Sequence, residues 1–195
     1  MAWNLISMEK VYIHDKVFVP FMSYAQISRV IDEVADKLNA DFCDSSHNYS
    51  SRQEEDVPVL LCVLHGSIMF TGELLKRLDF PVELASMKLS SYCGTTSTGV
   101  VKEVMPLSTD VAGKTVIVCE DIVDTGNTIV DLRQKLLSKG AKDVKLCTML
   151  LKPDVFRGRC GLDYVGAEIP NRFIVGFGLD YDELGRNLKD IYVLE

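Results

Sequence analysis

The chain lacks any apolar run approaching the ~18 residues of a membrane-spanning helix, so a helical membrane protein is excluded. It also lacks a basic excess, because 21 Lys and Arg stand against 28 Asp and Glu, for a net charge of −7. The imbalance is uneven, with 10 acids against 5 bases in residues 1–58 and 18 against 16 in residues 59–195. No stretch offers the basic face of a nucleic-acid binder. The six cysteines fall at 43, 62, 93, 119, 147 and 160 without a C-x-x-C pair, which argues against a zinc site. Cys62, Cys119 and Cys147 sit inside apolar runs and are expected as buried thiols, with no adjacent base to activate them. The N-terminus has no basic-then-apolar leader and the C-terminus no retention or peroxisomal signal, so a cytoplasmic location is expected. What remains, with 47% hydrophobic and 25% charged residues over 195 positions, is an acidic globular chain long enough for one well-buried core.

The stretch Thr115 to Thr128 carries the most chemistry. Five apolar or β-branched residues (Thr115 to Cys119) run into three carboxylates, Glu120, Asp121 and Asp124, and then into Thr125-Gly126-Asn127-Thr128 and a helical pattern. Apolar strand, acidic strand end, hydroxyl-rich loop and helix start is how an open α/β sheet builds a site at its carboxyl edge. The loop's hydroxyls and N–H groups suit a phosphate at a helix N-terminus. The carboxylates suit a hydrated divalent cation, sugar hydroxyls or a proton. A sugar phosphate carrying Mg²⁺ satisfies both.

Elsewhere, periodicity predicts a helix over 23–38, capped by Ser23. Strands are expected over 59–64, 82–89, 115–119, 144–151 and 173–177, with helices over 68–78 and 128–138, the latter closed by Gly140. Residues 44–56 and 90–100 read as polar loops. Regular alternation favours βαβ units and a parallel sheet. Between 82 and 115 no helix separates the strands, which leaves room for an antiparallel excursion.

Val118 to Thr128 resembles the phosphoribosyl-diphosphate signature of type I phosphoribosyltransferases. Leu64-His65-Gly66-Ser67, Ser90-Ser91-Tyr92 with Ser97-Thr98-Gly99, Leu150-Leu151-Lys152, and Ile169 to Tyr181 followed by Arg186 resemble the blocks of the hypoxanthine–guanine branch, in family order. The resemblance implies one phosphoribosyltransferase domain over 1–195. Its core, about 59–178, would be a mostly parallel five-stranded sheet flanked by helices. Its hood would come from the N-terminal segment and about 153–195. The implied reaction joins a 6-oxopurine, hypoxanthine or guanine, to 5-phosphoribosyl-1-diphosphate, releasing pyrophosphate. Mg²⁺ is the implied cofactor and a homodimer or homotetramer the implied assembly, with no nucleic-acid or membrane partner.

The resemblance also assigns roles. Thr125, Gly126, Asn127 and Thr128 would cradle the 5′-phosphate, and Glu120 and Asp121 would face the ribose hydroxyls and Mg²⁺. Asp124 would be the general base at the purine, with a helix N-cap as the competing reading. Lys152 would donate to the purine 6-oxo group, a bond the 6-amino group of adenine cannot accept. Phe173 would stack on the base, unless it is a core residue; backbone at Ile174 and Asp180 would read the base edge. Asp180 is the implied second-metal ligand. His65, Gly66 and Arg186 would contact pyrophosphate, a surface arginine being the alternative for the last, and a cis peptide is implied at Leu64–His65. Ser91 and Tyr92 would close over the reacting centre.

Three positions depart from the family pattern. His65 stands where Lys or Arg is frequent, and its backbone alone suffices for a loop role. Asn127 replaces a basic or small residue, and Phe156 falls where an arginine is expected, next to Arg157. Two rival readings fit less well. A nucleotide-sensing nucleic-acid binder on the same fold needs a basic face, and a phospho-accepting receiver needs its acids after the first strand.

Overall fold

In a computed structural model, residues 9–43, 56–91, 101–107, 109–157 and 161–195 are described. The strands are β1 (Val11–Ile13), β2 (Lys16–Met22), β3 (Val59–Leu64), β4 (Glu83–Ser91), β5 (Val101–Met105), β6 (Thr115–Val123), β7 (Asp143–Leu151), β8 (Tyr164–Glu168), β9 (Ile174–Val175) and β10 (Ile191–Leu194). The helices are α1 (Tyr24–Phe42), α2 (Ile68–Leu75) and α3 (Asn127–Ser138). Six strands form the large sheet in the order β5-β4-β3-β6-β7-β8. Five of them run parallel, and β5 pairs antiparallel with β4, which is the excursion expected before residue 115.

Both faces of this sheet are covered, which is why its central strands read as continuous apolar runs. Along β6, Ile117 and Cys119 pack into the cluster that holds α1 and α2 residues Ile27, Ile31, Phe70 and Leu74. Val116 and Val118 face the opposite cluster with Ile129, Leu132 and Leu136 of α3. Helix α1 begins at the N-cap Ser23, whose N–H donates to Gln26 Oε1 at 2.9 Å, half of a capping box. Cys62, Cys119 and Cys147 stand in register across β3, β6 and β7 and are buried and free. The Cys147 thiol beside it and burial hold the Cys119 thiol well above its usual range, so it is inert.

One strand assignment changes. Residues 173–177 are not the fifth strand of the large sheet. Only Ile174–Val175 is strand, and it pairs antiparallel with β10. The fifth parallel strand is β8, Tyr-Val-Gly-Ala-Glu, an edge strand with no apolar run to mark it. Its Gly166 is dictated by crowding, since a Cβ there would lie 2.5 Å from Met149 O and 2.6 Å from Val30 Cγ1 of α1.

The second sheet, β1-β2-β10-β9, joins the two ends of the chain. It buries Ile13, Phe18, Val175 and Tyr192 in a cluster of its own. Residues 164–168 therefore belong to the large sheet, and from the C-terminal side the small sheet takes only strands β9 and β10. Among the described residues no helix is long and apolar enough to cross a membrane.

Candidate active site

The ends of β3, β6 and β7 open on the same edge, as parallel strands must, and the segment around β9 lies over them. At the end of β6 the sequence turns into α3 through Gly126, whose φ of 82° is readily adopted only by glycine. Gly126 is the residue at the N-cap position, so the capping reading of Asp124 falls away. No side chain caps the helix. The N–H groups of its first turn, starting at Asn127 and Thr128, are thus left for an anion. Thr125 and Asn127 are exposed and Thr128 half-buried.

The three carboxylates of this strand end do different things. Asp124 is exposed, and its Oδ1 lies 2.9 Å from Lys152 Nζ. Asp121 continues the α2 face of β6 and reaches the β3–α2 loop. A Cβ on Gly66 would stand 1.6 Å from Asp121 Oδ2, so only glycine admits this carboxylate. Burial pushes the Asp121 carboxyl up to about 6, opposed by the Ile122 N–H and the Arg186 charge. Glu120 turns the other way and lines the α3 side with Val118, Ile129 and Leu146. Burial, then the neighbouring Asp121 charge, holds its carboxyl well above the usual range.

The expected metal set of Glu120, Asp121 and Asp180 is thereby divided between the two faces of β6. Consecutive strand residues point to opposite faces, so Glu120 does not join the other two. Among the described residues no cluster of three or more His, Cys, Asp or Glu side chains could hold a metal ion. Asp121 and Asp180 do share a side of the sheet, close enough for Asp180's charge to raise Asp121.

Lys152 directly follows β7 and is 8% exposed, an unusual state for an ammonium without a partner. Its N–H donates to Val123 O at 3.0 Å, tying the end of β7 to that of β6. Phe173 is 47% exposed, which removes the core reading and leaves an open aromatic face. The ring is held by Phe18 at 6.2 Å and by an edge contact with Tyr181 at 5.8 Å between centroids. Ile174 is buried, and its backbone pairs with Val193. Arg186 is not a free surface arginine. Its Nη2 pairs with Asp180 Oδ1 at 2.8 Å, and its Nη1 donates to Gly178 O at 2.9 Å.

In the 64–67 loop the resemblance implies a cis peptide. The Leu64–His65 peptide is cis, and His65 is exposed with its carbonyl accepting from the Ile68 N–H at 3.2 Å. Of the closing-loop pair, Ser91 is the last residue of β4, where it pairs with Val101, and Tyr92 lies outside the described residues, as do 97–99. Sequence reasoning missed Gly178. It has φ of 98°, and a Cβ there would meet Gly66 O at 2.0 Å, so this glycine lets the segment after β9 lie on the 64–67 loop. The Gly-x-Gly spacing of Gly176 and Gly178, both at positive φ, was the available signal.

Residues 24–182 match the phosphoribosyl transferase domain, which sets the class as phosphoribosyltransferase. A hypoxanthine-guanine phosphoribosyltransferase of Streptococcus thermophilus is 45% identical over 139 residues, 71% of this chain and 77% of that protein. One from Mycobacterium bovis is 36% identical over 171 residues, covering 87% and 82%. The crystallised hypoxanthine phosphoribosyl transferase of Trypanosoma cruzi superposes with a TM-score of 0.82 at 32% identity, covering 95% of each chain. The chain belongs to the hypoxanthine-guanine phosphoribosyltransferase family.

Proposed function

We propose that the chain is a purine salvage enzyme that transfers the 5-phosphoribosyl group from 5-phosphoribosyl-1-diphosphate to hypoxanthine or guanine, releasing pyrophosphate. The 2.9 Å contact between Asp124 and Lys152 carries the reading. It joins the residue that ends the acidic strand to the buried cation suited to a purine oxygen, so both substrates meet at one point.

The residues divide the work. The first turn of α3, with Thr125, Gly126, Asn127 and Thr128, binds the 5′-phosphate through N–H and hydroxyl donors. Glu120, from the α3 side of the strand end, and Asp121, from the α2 side, flank the ribose. As the purine N9–C1′ bond forms, Asp124 takes the N7 proton, and Lys152 transfers its hydrogen bond from that carboxylate to the 6-oxo group. Phe173 stacks on the base while the backbone of Ile174 and Asp180 reads its edge. The backbone at His65 and Gly66 and the fork of Arg186 receive pyrophosphate. Ser91 and Tyr92 close over the centre and exclude water.

Asp121 and Asp180 fit a hydrated Mg²⁺ carried in by the diphosphate. A carboxylate that burial raises to about 6 favours added positive charge, and Mg²⁺ takes only one or two carboxylates besides waters and phosphate oxygens. When bound, the ion would neutralise the departing pyrophosphate. The same reading includes one domain over 1–195 with the small sheet as its hood, a homodimer or homotetramer, and a cytoplasmic location; light scattering tests the assembly.

Purified protein with Mg²⁺ and the diphosphate should turn over hypoxanthine or guanine and leave adenine untouched. Product from neither oxopurine overturns the reading. Lys152→Met should lower kcat/KM for both oxopurines by about 10²-fold or more, because the donor to the 6-oxo group is gone.

A further inference from the structure

We propose that Phe156 is a positioning residue that locks the phosphate loop and the purine lysine into one unit, an inference that rests on the functional reading above. Gly126 is buried although Thr125 and Asn127 on either side are exposed. The ring of Phe156 is what covers it: a Cβ at 126 would stand 2.6 Å from Cε2 and 3.1 Å from Cδ2. The same ring packs against the cluster containing Val123, Ile129 and Leu151, so it bridges core and loop.

The segment that carries the ring is tied to the loop by its backbone as well. The Arg157 N–H donates to Thr125 O at 3.4 Å, and the Lys152 N–H to Val123 O at 3.0 Å. The Val155 and Phe156 N–H groups both donate to Lys152 O, at 3.2 and 3.1 Å, folding 152–156 into a tight turn. With the Lys152–Asp124 ion pair, residues 123–126 and 152–157 are held together at four points.

The physical need for the ring is specific. A loop that binds an anion through N–H groups works only if those groups are already aimed. Glycine is the residue least able to fix its own backbone. A ring seated where the missing Cβ would point removes that freedom from outside. It brings no charge of its own, so its contribution is order and exclusion of water, which strengthens the N–H interaction with phosphate. Because the same turn begins at Lys152, loosening it also moves the purine donor.

The test compares Phe156→Ala and Phe156→Leu with the full-length parent. It uses calorimetric titration of Mg²⁺-phosphoribosyl diphosphate, steady-state kinetics on hypoxanthine and thermal unfolding. Phe156→Ala should raise Kd and KM for the diphosphate substrate about tenfold, and KM for hypoxanthine about threefold. Phe156→Leu, which keeps apolar volume over Gly126, should recover to within about threefold of the parent for the diphosphate. A cooperatively folded Phe156→Ala protein with both affinities within about twofold of the parent overturns the proposal, whatever its thermal midpoint. If Phe156→Ala does not fold, Phe156→Val, which leaves most of Gly126 uncovered, decides: a rise in Kd of about fivefold or more supports the proposal and an unchanged Kd overturns it. A parent inactive on both oxopurines instead defeats the functional reading, and an active parent with an indifferent Phe156 defeats only this one.

Discussion

Glu120 to Thr128 lie on one strand end and the helix start that follows it, whereas Lys152, Phe173, Asp180 and Arg186 come from separate segments divided between the two sheets. The proposed phosphate half is therefore local. Strand propensity, a left-handed glycine and an uncapped helix start build it within nine residues, and the large sheet has only to aim it. The half proposed for the purine and the leaving pyrophosphate is assembled over distance. Phe173 is held by Phe18 from β2 and by Tyr181, and Arg186 is held by Asp180 and a glycine carbonyl. A local half should fail through its own chemistry, and an assembled half through the loss of its supports.

The largest effect is expected where the halves touch. Asp124→Asn should lower kcat by about 10²-fold or more while KM for the diphosphate stays within about threefold, because the phosphate cradle does not use this carboxylate. The change also leaves the Lys152 ammonium, 8% exposed, without its counter-charge in the free enzyme. Steady-state kinetics with both substrates varied separates these outcomes. Undiminished turnover would remove Asp124 as the base and sever the junction.

The contrast also explains what could be read from the sequence. The acidic strand end with its loop, the parallel arrangement and the three helices were legible because each rests on short-range patterns: apolar runs, a Thr-Gly-x-Thr turn, three- and four-residue periodicity. The small sheet was not. Its strand β9 is two residues long and makes sense only opposite β10, and β2, beyond its local hairpin with β1, pairs with β10 more than 160 residues away. β8 was hidden for a related reason, since an edge strand half-covered by α1 needs no apolar run. The opposed facing of Glu120 and Asp121 was readable from strand alternation alone, yet the motif invites treating them as a pair.

Two glycines break the comparison by force. Gly178→Ala drives a Cβ into the backbone carbonyl of Gly66 at 2.0 Å and forbids its φ of 98°. Gly126→Ala meets only the edge of the Phe156 ring, at 2.6 Å, which can tilt, and a φ of 82°. Both substitutions are strained, but backbone cannot yield as a ring does. Chemical denaturation should show Gly178→Ala costing about 1–3 kcal/mol more than Gly126→Ala. Equal losses would mean that the segment after β9 is not seated on the 64–67 loop.

Asp121 supplies a pH test. Its carboxyl is raised by burial from the ordinary 3.8 to about 6 in the folded chain. Between those values the folded state binds the extra proton, so this group's contribution to stability falls as pH rises through the window and stays low above it. Asp15, Glu73 and Asp143 are shifted down and contribute with the opposite sign, so the comparison must be with a variant. Asp121→Asn should match the parent near about pH 4 and exceed its urea midpoint near about pH 7. Mg²⁺ with the diphosphate should narrow that gap by binding the parent's folded state. A gap that is constant with pH would mean that Asp121 titrates normally.

The smallest effect should come from the outermost support of the purine half. Tyr181 touches Phe173 edge-on, and its hydroxyl donates to Asp15 Oδ1 at 2.9 Å in the turn between β1 and β2. His14 in the same turn meets the Tyr181 ring at 5.7 Å and sits 3.3 Å from Asp182 O. The N-terminal hairpin therefore steadies the segment that carries Phe173 and Asp180, but through contacts open to water, where such bonds are weak. Tyr181→Phe keeps the ring contact and removes only the tether. It should raise KM for hypoxanthine by no more than about twofold, with KM for the diphosphate unchanged within error. The asymmetry matters more than the size, because the tether reaches the base platform and has no link to the phosphate loop. An equal rise in both constants would show the hairpin acting on the whole site, and the division into a local and an assembled half would not hold.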